Sequence, residues 1–156
     1  MNTTEKIVES YFRLCRHCFT MTDVKVINGN NRQIDMLAYN PETNEQYHVE
    51  ISVSHRENWC PTPAELTAEF DKKYFGVPEK REGKNTDYTL GMTYKKQIDL
   101  TYESVGLNPK KIKRAWVCWT VREPKNLKIL LDKYCNKRGL SKRNIHIICF
   151  RDEIIP

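Results

Sequence analysis

The sequence predicts a single α/β domain in which a mixed central β-sheet is flanked by helices. Three observations favour this fold class. Short runs rich in Val, Ile, Tyr and Trp, which are typical of strands, alternate with longer stretches whose apolar residues recur at helical spacing. Clusters of Asn, Gly and Pro separate these runs. A chain of 156 residues, 39% of them hydrophobic, is long enough to bury a core of its own.

The first half of the chain predicts one helix followed by three strands. Residues 4–18 carry apolar side chains at helical spacing, and residues 23–27 form a short run of β-branched character. The Asn-Gly-Asn-Asn sequence at 28–31 is a strong turn signal. Strands at 33–39 and 46–54 follow, joined by a polar, Pro-containing loop that suits a hairpin.

The second half predicts three helices and two strands. Pro63 suits the first turn of a helix, and Gly139 suits the position just after the end of one. The predicted elements are helices at 63–74, 90–105 and 124–138, an exposed loop at 76–88, and strands at 113–121 and 144–150. The predicted order is α-β-β-β-α-α-β-α-β.

Positive charge is concentrated in one part of the chain. Residues 110–143 contain 12 Lys or Arg and two acidic residues, although the whole chain carries a net charge of only +6. Such a segment favours a partner with a phosphate backbone, the alternative being a solvated, solubilising helix face. The basic residues that we predict to contact nucleic acid are Lys110, Lys111, Lys113, Arg114, Lys125, Lys128, Lys137, Arg138, Lys142 and Arg143.

Cellular location is predicted only by default. No stretch approaches the roughly 20 apolar residues needed to cross a bilayer. The first residues lack the basic and apolar regions of a secretory signal. We therefore expect a cytoplasmic protein that has no membrane partner.

Two acidic residues interrupt otherwise apolar strands. Asp35 lies between Ile34 and Met36, and Glu50 lies between Val49 and Ile51. Such conflicts between a residue and its surroundings are expected at functional sites. The simpler alternative is that both acids terminate edge strands, in solvent or paired with lysine.

Alternation divides the third strand into two faces. One face is predicted to carry Glu50, Ser52 and Ser54, and the core face is predicted to carry Val49, Ile51 and Val53. Two carboxylates on neighbouring strands are suitable ligands for Mg²⁺ or Mn²⁺. We expect Asp35, Glu50 and the carbonyl of Ile51 to hold one ion, which would polarise a scissile phosphate and lower the pKa of an attacking water.

The motifs around these acids resemble the PD-(D/E)XK nuclease superfamily, and among its members the archaeal Holliday-junction resolvase-like and restriction-endonuclease-like proteins. Ile34-Asp35-Met36-Leu37-Ala38 resembles the strand with the central aspartate, and Val49-Glu50-Ile51-Ser52 resembles the E-x-K strand. Glu5-Lys6-Ile7-Val8 resembles the helical glutamate motif. The resemblance implies a restriction-endonuclease-like fold, in which Glu5 assists by holding a second ion or orienting a water. Stabilisation of the dipole of the first helix is an equally good reading of Glu5, and Glu9, one turn further on, competes for the role in the motif.

The chain departs from this pattern at Ser52, where the family has lysine. A serine hydroxyl carries no positive charge with which to stabilise a transition state. Either the protein is inactive, or a lysine from a helix reaches the site, as in some superfamily members. The candidates are Lys72, Lys73, Lys95 and Lys96, and for each one taken singly a solvated surface role is the simpler alternative.

These observations predict a metal-dependent DNA endonuclease that hydrolyses phosphodiester bonds, with Mg²⁺ or Mn²⁺ as cofactor. The first alternative is a catalytically silent nuclease-fold module that binds nucleic acid or a protein partner. The second is a cytosolic interaction domain that does not bind nucleic acid. A homodimer is possible, since related nucleases often dimerise to cut two strands.

Overall fold

A computed structural model describes residues 1–53, 60–76, 88–141 and 144–155, without the side chains of residues 88–93. The elements, in chain order, are α1 (Thr3–Leu14), β1 (Phe19–Lys25), β2 (Gln33–Tyr39), β3 (Gln46–Ser52), α2 (Pro63–Tyr74), α3 (Tyr88–Ser104), β4 (Ile112–Cys118), α4 (Pro124–Arg138), β5 (Ile145–Cys149) and a π-helical turn (Phe150–Ile154). None of the helices described is long and apolar enough to cross a membrane. Ser54, most of the predicted loop at 76–88, Lys142 and Arg143 lie outside the described residues.

Local sequence signals account for several helix ends. Asn2 caps α1 in a reciprocal arrangement, because its side chain accepts from the Glu5 N–H and the Glu5 carboxylate accepts from the Asn2 N–H. Thr62 caps α2 in front of Pro63. Gly139 ends α4 in the left-handed conformation, with φ of 67°.

The prediction of an α/β chain with a mixed central sheet is confirmed. The five strands lie in the spatial order β1-β2-β3-β4-β5. The pairs β1–β2 and β2–β3 are antiparallel, whereas β3–β4 and β4–β5 are parallel. Parallel neighbours require crossover connections, and α2, α3 and α4 lie in the segments that supply them.

Helices cover both faces of the sheet. One face packs on α1 and buries Val8, Phe12, Met36, Val49, Ala115, Val117 and Ile148. Ile51 and Val53 pack against this core, which confirms the core face predicted for β3. The opposite face packs on α2 and α4 through Leu66, Phe70, Tyr74, Trp116 and Tyr134, and on α3 through Leu37, Ile98 and Tyr102. The acidic face of β3 is therefore covered by helices rather than open to solvent.

Strands β2 and β3 separate at one end of the sheet. Their pairing runs from Tyr39 opposite Gln46 to Met36 opposite Val49 and goes no further, although both strands continue. Beyond this point β2 pairs only with β1, and β3 pairs only with β4. The fork between the two strands is where Asp35 and Glu50 lie.

Candidate functional site

Asp35 and Glu50 face each other across the fork. Extending the β2–β3 register by one step places them opposite each other, and each residue affects the pKa of the other's carboxyl group. The Ile51 N–H donates to Asp35 Oδ2 at 2.8 Å, so the side chain of Asp35 takes the place of a backbone acceptor. Glu50 is only 2% exposed. The two carboxyl groups that the sequence singles out therefore form one site.

Burial dominates the electrostatics of this pair. It raises the pKa of Asp35 to about 7, to which the Glu50 charge adds, while the Ile51 N–H and the Lys73 charge oppose the rise. Burial also raises the pKa of Glu50 to about 7, with Lys73 again opposing. A buried and a half-buried carboxylate side by side resist ionisation unless a positive charge compensates them. This is the environment in which a bound cation is stabilising.

His48 holds Glu50 from the interior of the sheet. Its Nε2 lies 2.8 Å from Glu50 Oε1, and its Nδ1 lies within hydrogen-bonding distance of the Tyr102 hydroxyl. The imidazole is completely buried. Burial lowers the pKa of His48 well below its usual value, and the charge of Arg114 on the neighbouring strand acts in the same direction.

Helix α2 brings one positive and one negative charge to the site. Lys73 lowers the pKa of both carboxyl groups, and Glu69 raises the pKa of Glu50. The two residues are four positions apart, so they lie on one face of α2. The charge of Lys73, one of the four candidate lysines, therefore acts on both members of the carboxylate pair.

The other three candidate lysines have different surroundings. Lys72 neighbours Lys73 but is exposed. The Lys95 ammonium lies 3.0 Å from Asp99 on the same helix. Lys96 is exposed.

Glu5 is engaged in local capping. Its carboxylate accepts from the Asn2 N–H at 2.8 Å. The terminal amine of Met1 lies 3.8 Å from Asp23, whose neighbours Thr22 and Val24 pair with Met36 and Ile34 on either side of Asp35. The first turn of α1 is thus at the same end of the sheet as the fork, and the Glu5 carboxylate forms part of the cap of its own helix.

The donor set fits a hard divalent cation that retains waters. No cluster of three or more His, Cys, Asp or Glu side chains suited to a metal occurs among the residues described. Mg²⁺ typically uses one or two carboxylates together with waters and substrate phosphates. The Asp35–Glu50 pair supplies two carboxylates, and one oxygen of each is held by the protein: Asp35 Oδ2 by the Ile51 N–H, and Glu50 Oε1 by His48 Nε2.

The structure divides the basic segment into buried, paired and exposed residues. The prediction that Arg114 contacts nucleic acid is wrong, because this residue is 5% exposed and its guanidinium lies 4.7 Å from the Phe75 ring centroid. Arg138 contacts Asp71 and so ties α4 to α2. Lys113 lies 3.4 Å from Glu45. These three residues have roles within the fold.

The exposed basic residues lie at two ends of the sheet. Lys110, Lys111, Lys125, Lys128 and Lys137 are exposed. Because β4 runs parallel to β3 and Glu50 pairs with Trp116, the start of α4 lies at the fork end. Lys111 precedes Trp116 by five strand positions, about 16 Å. Of these five lysines, Lys125 and Lys128 at the start of α4 are therefore the ones on the side of the carboxylate pair.

Two features of the site are not apparent from the sequence. Glu69 approaches the pair only because α2 packs on the sheet, and His48, although it lies beside Glu50 on β3, is oriented by Tyr102 only because α3 packs there. Their i, i+2 spacing on one strand indicates that the side chains of His48 and Glu50 share a face of the sheet, and this is the signal that the sequence offers for His48.

Comparisons with protein-family models, with curated proteins and with solved structures give no significant match to this chain.

Proposed function

We propose that this chain is a divalent-metal-dependent nuclease that hydrolyses phosphodiester bonds in DNA. The observation that carries the proposal is the pairing of half-buried Asp35 with buried Glu50 at the fork between two strands, with the charge of Lys73 acting on both carboxyl groups. The resemblance of residues 5–54 to the PD-(D/E)XK pattern points to the same chemistry.

Asp35 and Glu50 would hold Mg²⁺ or Mn²⁺ through the oxygens that the Ile51 and His48 N–H groups leave available. A bound cation of this kind polarises a phosphodiester and lowers the pKa of a coordinated water. Lys73 would supply the positive charge that Ser52 cannot, stabilising the phosphate as negative charge develops on it. Its position on α2 supports the prediction that a helix provides the substitute lysine.

DNA would lie across the fork end of the sheet, where Lys125 and Lys128 are exposed at the start of α4. Lysines that contact phosphates release counterions, so binding would weaken steeply as salt increases. Lys110 and Lys111, at the far end of β4, would contribute little to a complex centred on the fork.

The test is cleavage of a mixture of labelled duplex, single-stranded and branched DNA in Mn²⁺, with EDTA as the blank. We expect Glu50→Gln and Lys73→Met each to reduce the rate by about 100-fold or more. Lys95→Met removes an equal charge from a lysine paired with Asp99, and we expect it to stay within about twofold of the native rate. Undiminished cleavage by Glu50→Gln would overturn the proposal.

A catalytically silent DNA-binding module is the second candidate, and Ser52 is the observation that favours it. In that case the protein would bind DNA with strong salt dependence and cleave none of the substrates. Ser52→Lys, which restores the charge of the family pattern, would then be the variant in which to look for activity.

A further inference from the structure

Three buried side chains form a continuous hydrogen-bonded chain behind the carboxylate pair. The Tyr102 hydroxyl contacts His48 Nδ1, and His48 Nε2 contacts Glu50 Oε1 at 2.8 Å. Tyr102 and His48 are completely buried, and Glu50 is 2% exposed. This series of hydrogen bonds joins α3 to the end of β3, so it connects a helix to one of the two carboxyl groups in the fork.

The types of donor and acceptor determine in which direction hydrogen bonds are donated along the series Tyr102–His48–Glu50. With a cation bound, Glu50 would be ionised and could only accept hydrogen bonds, so His48 Nε2 would then carry the hydrogen that points at Glu50. In a neutral imidazole the other nitrogen is then an acceptor, and the hydroxyl of Tyr102 donates to it. Tyr102 thereby selects the tautomer of His48 that can hold Glu50.

Both ends of this arrangement are anchored. Thr101, next to Tyr102, accepts from the Ile27 N–H at 3.0 Å, and its helix neighbour Gln97 donates to the Asn28 carbonyl at 2.9 Å. These contacts fasten α3 to the β1–β2 connection. The ring of Tyr74 meets the imidazole of His48 edge-on, with 4.7 Å between the ring centroids. The imidazole therefore has little freedom to rotate.

We propose that His48, oriented by Tyr102, is a positioning residue that commits Oε1 of Glu50 to the protein and leaves Oε2 for a divalent cation shared with Asp35. This inference rests on the metal site in the proposed function. Residues that orient the ligands of a metal typically change its affinity by about 10- to 100-fold when they are removed.

The test measures Mn²⁺ affinity from the free-ion signal in electron paramagnetic resonance, which requires no activity. We expect His48→Leu to weaken binding by about 10-fold or more, and Tyr102→Phe by several-fold. His48→Gln retains a side-chain N–H donor, and we expect it to recover most of the affinity lost in His48→Leu. Recovery by the conservative variant separates positioning from a purely structural role.

Tyr74→Phe is the matched control. It also removes a buried hydroxyl next to His48, but this hydroxyl donates to the Ala115 carbonyl at 2.7 Å. We expect it to lower stability without changing Mn²⁺ affinity. Tyr102→Phe removes a single oxygen, so it serves as the test if His48→Leu fails to fold.

The outcomes distinguish two failures. If the native protein binds Mn²⁺ and Tyr102→Phe and His48→Leu bind it equally well, the positioning role is refuted and the metal site stands. If the native protein does not bind Mn²⁺, the metal site itself is refuted, and the positioning role is refuted with it.

Discussion

Replacing Asp35 with asparagine is expected to stabilise the metal-free protein at high pH. A carboxyl group whose pKa rises from 3.8 to about 7 on folding opposes folding by about 4 kcal/mol once it is ionised. Asparagine keeps the shape and the acceptor for the Ile51 N–H but carries no charge. Because the amide is also desolvated, we expect about half of this effect, roughly 2 kcal/mol, to be recovered at pH 8.

The sign of the pH dependence follows from the raised pKa. The folded state holds the Asp35 proton more tightly than the unfolded state, so this group favours folding at low pH. Its contribution is lost as pH rises from about 4 through about 7. The advantage of Asp35→Asn should therefore be small at pH 5 and reach its full size at pH 8.

The assay is thermal unfolding in EDTA, followed by circular dichroism at pH 5 and pH 8. A gain of about 2 kcal/mol corresponds to roughly 4–8 °C in Tm for a chain of this size. Asp152→Asn is the control, because that side chain is 52% exposed and we expect a change within about 0.5 kcal/mol. An Asp35→Asn variant that gains nothing at pH 8, or gains equally at both pH values, would refute the reasoning.

Three further predictions concern the core, the contact between helices and the DNA-binding surface. Phe12→Ala should lower the free energy of unfolding in urea by about 3–5 kcal/mol, because Phe12 is fully buried, whereas Leu14→Ala, at a side chain that is 75% exposed, should have little effect. Asp71→Asn should cost about 1–3 kcal/mol by weakening the hydrogen bonds from two side chains of α4, and an unchanged unfolding midpoint would contradict this. Lys125→Ala should reduce the slope of log affinity for DNA against log salt by about 1, and Lys110→Ala should leave it unchanged.

Local signals explain which elements could be predicted accurately. The bounds predicted for α2 and α4 agree with the structure because Pro63 and Gly139 act through their own backbone conformations. β1 begins at Phe19, four residues before the predicted start at 23, and α1 ends correspondingly early at Leu14. Phe19 is 73% exposed on an edge strand, so the chain has no amphipathic signal there to separate strand from helix.

The site was predictable only in part, for a related reason. Asp35 and Glu50 are conspicuous because acids are unusual in apolar strands. The role of His48 depends on the packing of α3 against the sheet, which no local pattern specifies. The prediction that Arg114 contacts nucleic acid failed for a different reason, because the basic segment was interpreted from its charge alone. It is two residues from the buried Trp116, and strand alternation would have placed both on one covered face.

The most direct test of the central claim is a crystal of the protein soaked in Mn²⁺ and measured for anomalous scattering. We predict one anomalous peak in the fork between β2 and β3, about 2.1 Å from a carboxylate oxygen of Asp35 and from one of Glu50. The peak should be absent in Glu50→Gln. A well-ordered fork that carries no peak, or a peak bound by other residues, would contradict the claim that this carboxylate pair is a metal site.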